Sequence, residues 1–174
     1  MKRSLFLWCF GGFTFSTALG TLLHFLYSWT NLLVFAPISA VNESTWEHIK
    51  ILFFPMLIFG VFQSFFYAEY QGFWWIKFIG VFVSIITMPI LFYTVNGAIG
   101  KTPDFINIFI FFISAGIGYF IEGILLKNNL VLPLKFIPII TLFLIGIFFV
   151  YFTFFPLKIP LFLDPLSNTY GIKI

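Results

Sequence analysis

The sequence is poor in charge. Only 9% of its 174 residues are Asp, Glu, Lys or Arg, nine basic against six acidic, where soluble domains carry about 25%. So few charges cannot clothe a water-exposed surface, which excludes an ordinary soluble domain. The basic residues are scattered, so the net charge of +3 makes no stripe that could track a phosphate backbone, and nucleic acid is excluded as a partner. A single cysteine, Cys9, excludes an internal disulfide and reads as a small core hydrophobe. The helical Glu-x-x-His and His-Glu-x-x-His spacings of di-iron and zinc sites are missing. There is no internal repeat and no inverted pair of broken helices such as many transporters carry.

What is present is apolar. Hydrophobic residues make up 61% of the chain, 29 of them phenylalanine, and the mean hydropathy is +1.08. The apolar runs are long and continuous, not alternating with period two, so the spanning element is the helix and not the barrel strand. The expectation is an all-α integral membrane protein in the lipid bilayer, a single bundle of about five transmembrane helices. One domain covers 1–174, with a short extramembrane tail at 157–174. The spans fall at about 5–26, 45–67, 73–95, 105–126 and 134–155, with Pro55 as a kink, Pro89 inside the third and Pro156 stopping the fifth. Met1-Lys2-Arg3 resembles a signal-peptide start, but the apolar run continues to about Leu26 without a small-residue cleavage site, so it reads as a retained first span.

Orientation rests on basic residues near the span ends. Lys2, Arg3, Lys77, Lys127 and Lys135 lie on the side of the N-terminus, and Lys50, Lys101, Lys158 and Lys173 on the other. The paired N-terminal charges place the N-terminus in the cytoplasm, with the protein in the cell membrane. An odd number of spans also puts the connector after span one, the 96–104 loop and the C-terminal tail on one face. His24, Glu43, Glu47, His48, Lys50, Tyr93, Asn96, Lys101, Asp104 and Asp164 therefore gather at one end of the bundle, and of the six acids only Glu69 and Glu122 lie elsewhere. Thr17, Thr21, His24 and Ser28 recur at helical spacing and form a face expected to turn inward, with Gly20 permitting close approach.

Polar chemistry concentrates in Asn42-Glu43-Ser44-Thr45-Trp46-Glu47-His48-Ile49-Lys50. If a helix starts near Ser44, then Glu43, Glu47 and Lys50 share one face and Ser44 and His48 the next. Glu43 and His48, joined by His24 from span one, make a ligand set for a divalent metal. Alternatively, a carboxylate orients His48 as a general base. The bland reading is that Ser44-x-x-Glu47 is a capping box, that Lys50 pairs with Glu47 or snorkels, and that Trp46 anchors at the interface. Asn42-Glu43-Ser44 also matches a glycosylation acceptor but lies too close to the membrane to serve as one. Asp164 before Pro165 reads as an Asx turn. Glu122 reads as an interhelical contact with Lys127 or as a water-facing acid.

Several segments resemble one family. They are Leu19-Gly20-Thr21-Leu22-Leu23-His24-Phe25-Leu26-Tyr27, Val41 through Lys50, Phe92-Tyr93-Thr94, and the ending from Phe152-Thr153-Phe154-Phe155-Pro156 through Asp164-Pro165 to Tyr170-Gly171-Ile172. Over nearly its whole length the chain resembles an uncharacterised family of small multi-pass prokaryotic membrane proteins. Leu157-Lys158 stands where the family's ending carries a Pro-His-like pair, and Ser167-Asn168 where it carries a Thr-Gly-like pair, which argues against a ligand role for the tail here. The resemblance implies one bundle with one polar end and supplies no activity.

The leading functional expectation is a membrane-embedded metal-binding or hydrolase-like site acting on a hydrophobic or lipid-linked substrate. In it Glu43 and His48 are ligands or general base, Glu47 is the orienting carboxylate, His24 is a further metal ligand, and Lys50 stabilises developing negative charge. Whether the protein is an enzyme stays open. The alternatives are a non-catalytic scaffold or accessory subunit, whose polar end docks a protein partner or forms a homo-oligomer, and a small transporter. The last is disfavoured because spans three to five carry almost no mid-membrane ionisable groups.

Overall fold

The computed structural model describes residues 2–67, 70–100 and 103–172, without the side chains of Lys2, Arg3, Ser4 and Asp104. Glu69, Lys101 and Lys173, and the Asp104 carboxylate expected at the polar end, lie outside the described set. Five helices are long and apolar enough to cross a membrane: α1 (Lys2–Thr30), α2 (Thr45–Ser64), α3 (Phe73–Ile99), α4 (Asp104–Lys127) and α5 (Phe136–Phe154). The protein is thus an all-α, multi-pass membrane protein, as expected. Two helices outrun their expected ends because no breaker intervenes. Helix α1 runs on to Thr30 and stops where Asn31 takes φ 53°, and α3 runs to Ile99 and stops at Gly100 with φ 81°.

In a bilayer, lipid tails are as apolar as the side chains, so helices associate through close packing and not through escape from water. The contacts follow that rule. Helices α3 and α4 form the closest pair. A Cβ on Gly118 would lie 2.6 Å from the Gly80 carbonyl oxygen, so only glycine permits this approach. Between α1 and α2 a Cβ on Gly20 would lie 2.8 Å from the Ile51 carbonyl oxygen. That carbonyl is the one Pro55, which has no N–H, leaves without its usual helical donor. The glycine and the proline therefore meet at one crossing. Leu52, Phe53, Met56, Val81, Ala115 and Leu142 form the buried centre.

The inward face expected on α1 holds only in part. Ser16 and Thr17 are buried, but Thr21 and Ser28 are exposed, and their hydroxyls donate to their own helix at Thr17 O and Phe25 O. This intrahelical bond removes the cost of facing lipid or the interface and frees the residues from any interhelical role.

After α5, Pro156 starts a tail that folds back onto the start of α2. A 3₁₀ turn at Pro160–Phe162 sets the Phe162 ring 4.6 Å from the Trp46 ring. Trp46 is therefore packed among Phe149, Phe152 and Phe162 at the start of α2. An antiparallel bridge joins Leu163 to Tyr170. Asp164 makes the Asx turn its sequence context suggests, its Oδ1 accepting from the Leu166 amide at 3.0 Å and its Oδ2 from the Ser167 hydroxyl.

Candidate functional site

Helix α2 begins with Ser44 as its N-cap. The Ser44 side chain accepts from the Glu47 amide at 3.4 Å, and the Ser44 amide in turn donates to Asn42 Oδ1 at 2.9 Å. Only half of the capping box forms, because the Glu47 carboxylate reaches elsewhere. Glu43 sits just outside the first turn, where its side chain can swing toward α1.

There it meets both histidines. Glu43 Oε1 is 3.6 Å from His24 Nε2 and Glu43 Oε2 is 3.5 Å from His48 Nε2. The two imidazole centroids are 5.2 Å apart, and one ligand atom from each of the three residues lies within 4.8 Å of the others. His48 Nδ1 is 2.9 Å from the Ser44 carbonyl oxygen, which can only accept, so Nδ1 carries the hydrogen and the neutral ring presents its Nε2 lone pair to Glu43. A metal-ligating histidine is usually oriented by such a bond. His24 Nδ1 is buried with no protein partner, so nothing of the kind fixes its tautomer.

Gaps of 3.5 and 3.6 Å are too long for good hydrogen bonds. They are close to the roughly 3.3–3.4 Å that separates ligands held about 2.0–2.1 Å from a tetrahedral centre. The side chains are 23%, 25% and 41% exposed for His24, His48 and Glu43, so the cluster is walled on one side and reachable on the other.

Glu47 and Lys50 do not join this cluster. Glu47 Oε2 is 2.6 Å from Lys50 Nζ and accepts from the Val41 amide at 3.1 Å, while its Oε1 accepts from the Thr153 hydroxyl at 3.1 Å. Lys50 donates its other two hydrogens to Ala36 O at 2.8 Å and Thr153 Oγ1 at 2.7 Å. Both residues are buried, Lys50 completely. Every charged atom is committed to tying α2, the 31–44 connector and α5 together. Lys50 does not snorkel; its ammonium is enclosed and paired with Glu47. The tail is tied to the same region, with Asn42 Nδ2 donating to Gly171 O at 3.0 Å. Tyr93 and Asn96 lie in the last two turns of α3, and the Asn96 side-chain Nδ2 donates to Phe92 O at 2.8 Å.

A second buried ion pair was not evident from sequence. Lys77 Nζ is 2.6 Å from Glu122 Oε2, both side chains almost wholly buried, at the end of the bundle opposite the histidines. Glu122 therefore pairs with Lys77 and not with Lys127, and Lys77 is no interfacial charge. The Phe59, Phe73 and Tyr119 rings surround its ammonium at 5.6, 5.9 and 5.3 Å. A signal did exist. Lys77 lies four residues into α3 and Glu122 five from the end of α4, so the α3–α4 hairpin brings them to one depth.

A family model matches residues 2–172, which takes in both polar segments and all five helices. The chain belongs to the family of unknown function DUF6512. DUF6512 carries no assigned chemistry, and no curated protein and no solved structure matches the chain. The chemistry has to be read from the side chains.

Proposed function

We propose that His24, Glu43 and His48 bind a divalent metal ion at one membrane face, and that this centre acts on a hydrophobic or lipid-linked substrate. The observation that supports it is the convergence of two imidazole Nε2 atoms on one half-exposed carboxylate at separations longer than hydrogen bonds. Two nitrogens and one oxygen are a ligand set that zinc and iron(II) accept. Three protein ligands are the number found in catalytic sites, where a bound metal lowers the pKa of water held in the open position. The Ser44 carbonyl keeps His48 in the ligand tautomer, and the cap at Ser44 holds Glu43 beside α1. The docking-module alternative has less of the 42–50 segment to work with, because Asn42 and Trp46 already contact the chain's own tail. On the paired Lys2 and Arg3 charges, the N-terminus is assigned to the cytoplasm.

Calorimetric titration of the chelator-treated protein with zinc or manganese tests this. Saturable binding at one ion per chain is expected, with Glu43→Gln and His48→Ala each weakening it by tenfold or more. Absence of binding, or binding unchanged in both variants, would overturn the proposal.

A further inference from the structure

We infer that an open groove between α2 and α5 is a binding site for one acyl chain of a phospholipid, separate from the histidine cluster. The groove has a volume of about 560 Å³ and is lined by Phe54 and Leu57 of α2, by Gly146, Val150 and Tyr151 of α5, and by Phe155 just beyond it. Helix α5 is a peripheral helix, with 22% of its spanning window buried against 61% for α2, and Gly146 offers no side chain to close the gap between them.

The occupant follows from the lining and its depth. Phe54 and Leu57 lie seven residues, about two turns, below Glu47 and Lys50 on one face of α2, while His48 turns toward α1. The Glu47–Lys50–Thr153 network lies between the same two helices, level with the end of the groove at Phe154 and Phe155, and has spent its polar atoms internally. Apart from the Tyr151 hydroxyl, nothing in the lining can satisfy a polar guest, so the guest is hydrocarbon. From Leu142 to Phe155 the groove follows α5 for about 20 Å, enough for a chain crossing one leaflet, whose half of the hydrocarbon core is about 15 Å. The polar-end limit of the groove is set by Tyr151, Phe154 and Phe155, and Lys158 follows three residues past Phe155 as an exposed charge. That charge suits a phosphate.

The site is tested on metal-free protein, so the result does not depend on the metal reading. Native mass spectrometry of the detergent-purified chain, with added phosphatidylglycerol, is expected to show one phospholipid per chain surviving delipidation. A Cβ at position 146 meets only ordinary contacts, 3.5 Å from Phe53 Cε1 and 3.9 Å from Phe54 Cε1, so the root of the new side chain in Gly146→Leu is tolerated and its bulk narrows the groove. It is expected to cut retention about tenfold, whereas Phe120→Leu, on the lipid face of α4, leaves it unchanged. Lys158→Gln is expected to lower retention of phosphatidylglycerol several-fold. A wild type that keeps no lipid, a Gly146→Leu variant that keeps it fully, or a dimer that Gly146→Leu dissociates would overturn the inference.

Discussion

Replacing Glu47 by glutamine keeps the size of the side chain and removes its charge, and so probes Lys50, the most enclosed charge among the described residues. Lys50 has three N–H donors, and all three are used within 2.8 Å, on Glu47 Oε2, Thr153 Oγ1 and Ala36 O, with the side chain 0% exposed. In Glu47→Gln the two neutral acceptors remain but the counter-charge is gone. Leaving one member of a buried pair uncompensated costs about 3–5 kcal/mol, a factor of roughly 10² to 10⁴ in the folding equilibrium. Lys50→Met belongs at the lower end, because Glu47 still accepts from the Val41 amide and the Thr153 hydroxyl. The double variant Glu47→Met, Lys50→Met removes both charges but leaves the Val41 amide and Ala36 O without their partners, and is expected to cost about 1–3 kcal/mol, less than the sum of the singles. Equilibrium unfolding in mixed micelles, followed by circular dichroism, measures all three. Single variants costing under about 1 kcal/mol, or a double variant costing the sum of the singles, would refute the reasoning. The double variant is also expected to retain metal binding, since neither residue touches the histidine cluster.

Further outcomes follow from other particular contacts. Asn42→Ala removes both the bond to Gly171 O and the one to the Ser44 amide, while Asn42→Asp keeps only the second. Both variants are expected to speed amide exchange in residues 160–172, by an opening energy lowered about 1–2 kcal/mol, and no change in either would contradict the clasp. Gly171→Ala places a Cβ 2.9 Å from Pro156 Cγ at φ 69°, so thermal unfolding should report a loss of about 1–3 kcal/mol. Glu122→Gln strands the Lys77 ammonium among aromatic rings and is expected to cost about 3 kcal/mol by the same assay. Glu122→Met with Lys77→Met should recover most of it.

Most of the fold could be read from the sequence, and the contents of its polar end only in part. Five continuous apolar runs leave no choice but five helices, and Ser44 caps α2 because a serine followed three residues later by glutamate has few other uses. Helix ends were misplaced where no breaker marks them, as at Thr30 and Ile99. That His24, Glu43 and His48 lie at one end of the bundle follows from span count; their meeting in one cluster does not. What spacing could not show is rotamer choice. Glu47 and His48 are adjacent in sequence, yet one turns toward α5 and the other toward α1. Thr153 gives no sequence signal, because one hydroxyl in an apolar helix carries no pattern. Lys77 reads as an interfacial charge because its partner is 45 residues away. With Lys77 and Lys50 both buried in pairs, the basic residues left to set orientation fall from five against four to four against three, and the bias is unchanged.

The central claim is that one metal ion is held by two histidines and a carboxylate. X-ray absorption at the edge of a zinc ion loaded at one equivalent reads those ligands directly. The expected spectrum shows two imidazole nitrogens at about 2.0–2.1 Å with the rest oxygen, falling to one imidazole in His24→Ala. An all-oxygen shell, or two imidazoles persisting in His24→Ala, would contradict the account.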